Sequence, residues 1–225
     1  MSRPAVALAC LDLAGTTVKD DGAVEAAFLD ALDAVGVGAH DERRPAMLAY
    51  VRTTMGTSKI EVFRALLGDR AVQANAAFEV AFGRRLDGGG VEPLPGAVAT
   101  IETLRAAGIK VALLTGFSAA TRDRLLAALG WGSLADLAMC PAEAGRGRPY
   151  PDMVLASVLR LAIDDVAHVA VVGDTAADVR SGRAAGARIV AGVLSGSHDA
   201  TRLLEAGATH VLDTIADLPA LLGVG

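Results

Sequence analysis

The sequence predicts an α/β fold in which a doubly wound parallel sheet carries an inserted all-helical segment. Two patterns lead to this prediction. From residue 96 onward, strand-like apolar runs alternate with helical segments, as in a parallel sheet with right-handed crossovers. Between residues 19 and 92 this alternation stops, and apolar residues recur only at helical spacing. The chain therefore combines a layered core with a helical insertion near its start.

The core begins with an apolar strand that ends in Asp12 and leads into a turn of small residues at 14–17. Helical segments are then predicted near residues 23–35, 43–54, 58–67 and 69–86. Glycines at 88–90 and the proline-rich stretch 92–96 form the boundary behind these helices. We therefore assign residues 1–18 and 93–225 to the α/β core and residues 19–92 to the insertion.

The alternating part of the chain supplies the remaining elements. Strands are predicted at 109–114, 137–140, 168–172 and 188–193, and helices at 97–107, 119–129, after Pro151 and at 176–185, with two shorter units last. The apolar residues are mostly Ala, Val and Leu, as expected for strands buried on both faces and for the helices that cover them.

Composition narrows the class of protein. With 225 residues, 52% of them hydrophobic, the chain can bury a large core. A net charge of -5 without a basic block argues against nucleic acid as a partner. No apolar run reaches the ~18 residues of a membrane-spanning helix, and the N-terminal run, broken by Asp12, does not resemble a signal peptide. Cys10 and Cys140 stand apart and are expected to be reduced, buried thiols of a cytoplasmic protein.

Polar residues follow the predicted strands at the sheet edge where ligands bind in such folds. They are Asp12, Thr115, Gly116 and Asp174, with Asp178 one helical turn after Asp174 and Arg148 in a loop before a helix. Clustered carboxylates repel one another unless a hard cation neutralises them, and their oxygens suit Mg²⁺. The hydroxyl, the backbone amides and the guanidinium complement a phosphoryl group. This edge is therefore predicted to support metal-assisted phosphoryl transfer.

Four motifs resemble those of the haloacid dehalogenase superfamily, in order and in spacing: DLAGTTV, LLTG, GRPYPD and GDTAADVRSG. Each motif is weak alone, but four in register over essentially the whole chain identify it as a member. The insertion after the first motif resembles the mobile cap of that superfamily. Within the superfamily, the chain is most similar to the phosphonatase branch, which has alanine at the position of Ala14 and arginine at the position of Arg148.

The resemblance implies a role for each strand-end residue. Asp12 would be the nucleophile that forms a phosphoaspartyl intermediate. The implied Mg²⁺ ligands are Asp12, the backbone carbonyl of Ala14, and Asp174, with Asp178 in or near the coordination shell. The implied phosphoryl-binding groups are Thr115, Gly116 and Arg148, of which Arg148 also counts as catalytic.

Position 14 separates two kinds of chemistry. Most phosphatases of the superfamily have an aspartate there that protonates the leaving alkoxide, whereas Ala14 cannot move a proton. Phosphonatases instead use a cap lysine, whose imine with the substrate aldehyde accepts the electrons of the breaking P–C bond. The segment MGTSK resembles the one that carries this lysine, which makes Lys59 the implied catalytic residue and Met55 and Gly56 implied substrate contacts. Phosphonatases also have a histidine three residues later, where this chain has Val62.

We therefore expect a Mg²⁺-dependent hydrolase of a small organophosphorus compound, with phosphonoacetaldehyde or an analogue as the specific candidate. A phosphate monoester phosphatase of the phosphoglycolate phosphatase kind, with its proton donor in the cap, is the alternative in the same fold. A non-catalytic phospho-acceptor regulator is the remote alternative, because receiver domains are much shorter and have no cap. Exposed cap helices offer a surface for a homodimer, but neither the oligomeric state nor the substrate follows from the sequence.

Overall fold

The computed structural model describes residues 5–89 and 91–224, and its centre is one six-stranded sheet. The strands are β1 (Leu8–Asp12), β2 (Lys110–Leu114), β3 (Leu137–Met139), β4 (Val169–Gly173), β5 (Ile189–Val193) and β6 (His210–Leu212). Their order across the sheet is β3-β2-β1-β4-β5-β6, and every pairing is parallel. The predicted doubly wound α/β class is confirmed. Residues 1–4, Gly90 and Gly225, which the predicted boundaries include, lie outside the described residues.

Helices follow the strands and fill the insertion. They are α1 (Ala23–Ala34), α2 (Arg44–Thr53), α3 (Lys59–Leu67), α4 (Ala71–Asp87), α5 (Ala97–Ala106), α6 (Ala119–Ala128), α7 (Pro141–Ala144), α8 (Asp152–Arg160), α9 (Ala176–Ala185), α10 (Ala200–Glu205) and α11 (Leu218–Leu222). In the described part of the chain, no helix has both the length and the apolar character needed to cross a membrane.

Two predicted boundaries shift because short 3₁₀ turns replace the first residues of an element. His168 was predicted to begin a strand, but it closes the 3₁₀ turn Val166–His168, and β4 starts one residue later. The carboxylate of Asp165 accepts the N–H of Ala167 over 2.8 Å and so caps that turn. Similarly, the 3₁₀ turn Gly68–Arg70 precedes α4. Side-chain caps of this kind decide element ends that hydrophobic periodicity leaves open.

Strand β1 lies at the centre of the sheet, paired with β2 on one side and β4 on the other. Its side chains alternate between two apolar layers, since Ala9 and Leu11 belong to one cluster and Leu8 and Cys10 to the other. All four residues are fully buried, as expected for a parallel strand with helices on both faces. The buried central strand of the sheet therefore ends at Asp12.

The five phenylalanines of the chain form one continuous cluster of ring contacts: Phe28, Phe63, Phe78, Phe82 and Phe117. The first four lie on α1, α3 and α4, and Phe117 lies in the loop after β2. Ring centroids are 4.8 Å apart for Phe28 and Phe63 and 4.6 Å apart for Phe82 and Phe117. Aromatic packing therefore joins the inserted helices to the carboxyl edge of the sheet.

The inserted segment leaves and rejoins the sheet at one place, where Val18 pairs with Pro93 in an antiparallel bridge. Two backbone hydrogen bonds flank the bridge, from Lys19 N–H to the Glu92 carbonyl and from Leu94 N–H to the Thr17 carbonyl, both 2.9 Å long. Among the described residues between 19 and 92, only helices and turns occur. The assignment of this segment to a separate cap domain stays a prediction.

Candidate active site

The strand order locates the candidate site. Chain connections run outward in one direction through β2 and β3 and in the other through β4, β5 and β6, so the order reverses between β1 and β4. In open parallel sheets, ligands bind at this point, beyond the carboxyl ends of the strands. Asp12 is the last residue of β1, and Asp174 directly follows β4. The two carboxylates are therefore delivered to the same crevice by adjacent strands.

Three carboxylates meet in this crevice. Oxygens of Asp12, Asp174 and Asp178 all lie within 4.8 Å of one another, and all three residues are buried. Asp178 reaches the cluster from the first turn of α9, as the spacing from Asp174 predicts. The sequence-based prediction that these groups come together is thus matched by the geometry, while their catalytic roles stay predictions.

Arg148 binds two of the three carboxylates. Its Nη1 lies 2.7 Å from Oδ1 of Asp12, and its Nε lies 2.7 Å from Oδ1 of Asp178. Its Nη2 donates to the Leu114 carbonyl over 3.0 Å. The guanidinium is only 4% exposed, so it offsets negative charge where water contributes little. Arg148 thus forms ion pairs with two of the three acids, and among the described residues Asp174 forms none.

The pKa values of the acids reflect their burial and these charges. Burial raises the pKa of Asp12 well above its usual range, and Arg148 opposes that rise while the other two carboxylates add to it. Burial, and then the charge of Asp178, raise the pKa of Asp174 to about 7. A divalent cation reverses both effects, because it favours the ionised carboxylates. The acidic cluster therefore fits a divalent metal that prefers oxygen ligands.

Asp174 and Asp178 each have a partner on both carboxylate oxygens, but among the described residues only Asp178 of the two forms an ion pair. Asp174 accepts from the backbone N–H of Ser197 over 2.7 Å and from the hydroxyl of Thr16 over 3.5 Å. Asp178 accepts from Thr175 through one oxygen and binds Arg148 through the other. Both oxygens of Asp178 thus already have partners that position α9 and the guanidinium, and its place in a metal shell stays a prediction.

Thr115 and Gly116 lie beside the cluster, after β2. The Thr115 hydroxyl accepts the N–H of Phe117 over 3.2 Å, which leaves its own hydrogen free to donate. A Cβ on Gly116 would lie 2.7 Å from the Thr57 carbonyl oxygen, so only glycine lets the loop 55–58 approach this strand end. The backbone N–H of Lys59 points to the Gly116 carbonyl over 3.4 Å. The loop and the strand end thus form one surface.

Gly56 allows the loop 55–58 to pass close to Thr175 at the site. Its φ of +83° lies in the left-handed region, and an added Cβ would come within 2.3 Å of the Thr175 hydroxyl oxygen. Its carbonyl lies 3.5 Å from Nη1 of Arg148. Gly56 and Met55 line an inner chamber together with Asp12, Lys59, Arg148 and Asp174. Both loop residues predicted to contact substrate therefore face the cluster.

The residues of this site lie in a stretch of sequence that matches a known protein family. The model of the haloacid dehalogenase-like hydrolases matches residues 6–186 of the chain. The chain belongs to this family. The motif-based identification is thereby confirmed, and the sheet, the strand-end acids and the inserted helices can be described as those of a haloacid dehalogenase-like hydrolase.

Relatives within the haloacid dehalogenase-like hydrolases agree with the branch indicated by the motifs. Phosphonoacetaldehyde hydrolase from Bordetella pertussis is 32% identical, over 94% of this chain and 89% of its own length. The Salmonella typhimurium enzyme of the same name is 30% identical, over 78% of this chain and 80% of its own. Among solved structures, a phosphonoacetaldehyde hydrolase-like protein from Oleispira antarctica superposes with a TM-score of 0.84, at 25% identity and 98% and 92% coverage.

Lys59 begins α3 and is 6% exposed. Its Nζ lies 5.3 Å from the ring centroid of Phe117 and 5.8 Å from that of Phe28. No ion pair to Lys59 is recorded among the described residues, and burial lowers the pKa of its amine. In a haloacid dehalogenase-like hydrolase, this places a cation from the insertion in the chamber that holds the strand-end carboxylate Asp12.

A wider groove joins the inner chamber to the surface. Its volume is about 690 Å³, and it shares Lys59, Gly116, Phe117 and Arg148 with the chamber. The insertion forms one wall of the groove and the loops after β2 and β3 form the other. Small molecules therefore have a route to the acids between the two parts of the chain.

Sequence reasoning missed three contributors to the site. Asp20 belongs to none of the four motifs, yet it lines the inner chamber with Lys59. Ser197 follows β5, so extending the strand-end rule to that strand would have found it. Thr175 was quoted in a motif, but its hydroxyl and N–H hold Asp178. Asp20 gave no signal in the sequence, because its place depends on how α1 packs.

Proposed function

We propose that the chain is a Mg²⁺-dependent hydrolase that breaks the P–C bond of phosphonoacetaldehyde or a close analogue. The observation that supports this proposal best is the position of Lys59. It is a buried amine with a lowered pKa, without an ion pair among the described residues, in the same chamber as Asp12. A neutral amine is the reactive form for imine formation, and burial favours that form.

Residues at the strand ends carry out the phosphoryl transfer. Asp12 attacks phosphorus through a carboxylate oxygen, and a phosphoaspartyl intermediate forms as the P–C bond breaks. Thr115, the Gly116 amide and Arg148 hold the phosphoryl oxygens by charge-assisted and neutral hydrogen bonds. Asp12, Asp174 and the backbone carbonyl of Ala14 would hold Mg²⁺, which would supply charge neutralisation for phosphoryl transfer.

Lys59 of the insertion carries out the chemistry at the aldehyde carbon. The Lys59 amine adds to the aldehyde carbon, and loss of water gives an iminium. When the P–C bond breaks, its electron pair moves into the iminium and leaves an enamine on Lys59. Protonation at carbon and hydrolysis of the resulting iminium release acetaldehyde and the free amine. Water then attacks the phosphoaspartate and regenerates Asp12.

Ala14 favours this route over ester hydrolysis. An alkoxide leaves poorly unless an acid protonates it, and Ala14 has no proton to give. An enamine leaving group needs no proton at the moment of cleavage. A phosphate monoester phosphatase with a cap proton donor stays the alternative within the same fold.

Borohydride reduction tests the proposal directly. With phosphonoacetaldehyde and Mg²⁺, reduction is expected to leave a covalent adduct that peptide mass mapping assigns to Lys59. Lys59→Ala should lose the adduct and the release of phosphate. Lys110→Ala is the matched control, because Lys110 is exposed and pairs with Asp136 at 3.1 Å. Absence of an adduct in wild type, with efficient phosphate release from ordinary esters, would favour the phosphatase alternative.

A further inference from the structure

Imine chemistry requires an acid–base group beside the amine. The carbinolamine formed by Lys59 loses its hydroxyl as water only when that oxygen is protonated, and the later enamine needs a proton at carbon. In the position where phosphonatases have a histidine, Val62 is buried and belongs to the apolar core. The proton donor must therefore come from elsewhere.

The histidines of the chain do not fill this place. His40, His168 and His210 are exposed, and none of the four histidines lines the inner chamber in the described structure. His198 is buried, but its Nδ1 accepts the N–H of Ala176 over 2.9 Å at the start of α9. Imidazole is thus not available beside Lys59.

The carboxyl groups of the chamber divide into two sets. Asp12 and Asp174 belong to the acidic cluster at the strand ends. Asp20 lines the same chamber but takes no part in that cluster, and no ion pair to it is recorded among the described residues. Its Oδ1 accepts the N–H of Val24 over 3.0 Å at the start of α1, which leaves Oδ2 for another partner.

Asp20 and Lys59 line the same chamber, near the starts of two helices that share a ring contact. Asp20 precedes α1, whose Phe28 contacts Phe63 of α3 with ring centroids 4.8 Å apart. The Phe28 ring in turn lies 5.8 Å from Nζ of Lys59. The chamber that Asp20 and Lys59 share is also lined by the apolar side chains of Val24, Met55 and Phe117.

We propose that Asp20 is the catalytic acid–base residue of the Lys59 imine cycle, in the role for which Val62 is unsuited. The carboxylic acid of Asp20 protonates the carbinolamine hydroxyl. The C–O bond breaks, water departs, and the nitrogen lone pair forms the iminium while Asp20 becomes a carboxylate. Reprotonated from water, Asp20 then donates to the enamine carbon after P–C cleavage. This inference rests on the proposed imine function of Lys59.

The surroundings of Asp20 suit a proton donor. Burial raises the pKa of the Asp20 carboxyl, and the negative charges of Asp21 and Glu25 raise it further. The Val24 N–H and the positive charge of Lys59 oppose that rise. The balance keeps a larger protonated fraction near neutral pH than an exposed aspartate has.

The test is the rate at which borohydride traps phosphonoacetaldehyde on the enzyme, measured against pH with Asp20→Asn, Asp20→Glu and Asp21→Asn. Asp20→Asn keeps an oxygen that can accept the Val24 N–H but carries no acidic proton, so it separates helix capping from proton transfer. Asp21→Asn is the matched control, because Asp21 is exposed and pairs with Lys19. We expect Asp20→Asn to slow trapping about 100-fold, Asp20→Glu to restore most of the rate, and Asp21→Asn to keep most of the rate and the alkaline fall.

The pH profile of trapping distinguishes proton transfer by Asp20 from a purely structural role of this residue. Wild-type trapping should fall at low pH as Lys59 is protonated and at high pH as Asp20 ionises, and Asp20→Asn should lose only the alkaline fall. Trapping by Asp20→Asn at the wild-type rate, or with an unchanged profile, overturns this inference. A wild type that gives no adduct overturns the proposed function instead. Should Asp20→Asn fail to fold, Asp20→Ser decides, because serine can also cap α1 but has no acidic proton, and an alkaline fall that persists in that variant overturns the inference.

Discussion

The contact between Gly56 and Thr175 makes the loop over the site sensitive to a single methyl group. Alanine at position 56 must adopt a φ of +83°, and its Cβ would lie 2.3 Å from the Thr175 hydroxyl oxygen. That hydroxyl cannot simply turn away, because it caps α9 by accepting the N–H of Asp178 over 3.3 Å. The loop therefore has to move off the core.

The size of the effect follows from these distances. An ordinary contact begins near 3.4 Å, so the loop must shift by about 1 Å. A displacement of about 1 Å near the reacting groups lowers rate about 100-fold. The left-handed backbone adds about 1–2 kcal/mol of strain for a residue with a Cβ. We therefore expect Gly56→Ala to lose about 100-fold in kcat/KM and about 1–2 kcal/mol in the free energy of unfolding.

Gly36→Ala is the matched control for this prediction. Gly36 has a φ of +81° in the turn after α1, but nothing lies within 4 Å of an added Cβ. It should show the same loss in urea-unfolding free energy as the strain in Gly56→Ala, with kcat/KM unchanged. Equal activity in the two variants would refute the reasoning that the loop 55–58 closes the site by direct contact with the core.

Three further predictions concern buried charge and the metal ion. Lys59→Met is expected to abolish imine trapping yet raise the free energy of unfolding by about 1 kcal/mol or more, because a desolvated amine is removed. Burial lowers the pKa of Lys59 below its ordinary value of 10.5, so between the folded-state pKa and 10.5 the unfolded chain binds more protons than the native protein. The free energy of unfolding of wild type therefore rises with pH over this range, and urea titrations of Lys59→Met should lack that rise. The pKa of Asp174 rises from 3.8 to about 7 in the native metal-free protein, which therefore binds more protons than the unfolded chain between these pH values. The free energy of unfolding should fall as pH rises from 3.8 to about 7, and Asp174→Asn should remove this fall. Thermal unfolding should also show Mg²⁺ stabilising wild type by about 2.7 kcal/mol at 100 times Kd, with a far smaller effect on Asp174→Asn; equal shifts would contradict the metal assignment.

The fold was predictable because each core element carries a local signal. Apolar runs of β1 and β2 and the helical spacing of α1 depend on burial of neighbouring residues, which periodicity reports. The short helix α7 was not predicted, since its ends depend on distant partners. Glu143 accepts the N–H of Cys140 over 3.0 Å and also binds Arg122 on α6. A contact between residues 21 positions apart leaves no periodic trace in the sequence.

The site was predictable only where topology fixes it. Strand ends meet at one edge of a parallel sheet, so Asp12 and Asp174 could be paired from the sequence. The ion pairs of Arg148 depend on the fold of a loop, which no strand register determines. The neighbourhood of Asp20 and Lys59 depends on the packing of two inserted helices. Long-range helix packing is set by many side chains at once, and a single sequence does not reveal it.

The antiparallel pairing of Val18 with Pro93 has a consequence for how such proteins diversify. Because both ends of the insertion meet there, the sheet accommodates the inserted helices as it would a hairpin loop. The entropy of closing a loop grows slowly with its length, so the closure itself places little limit on the size of the insertion. We therefore expect that a helical bundle of another size could replace this one and leave β1 and its terminal carboxylate in place. Such an exchange should change the wall of the groove that the insertion forms while it keeps the acids at the strand ends.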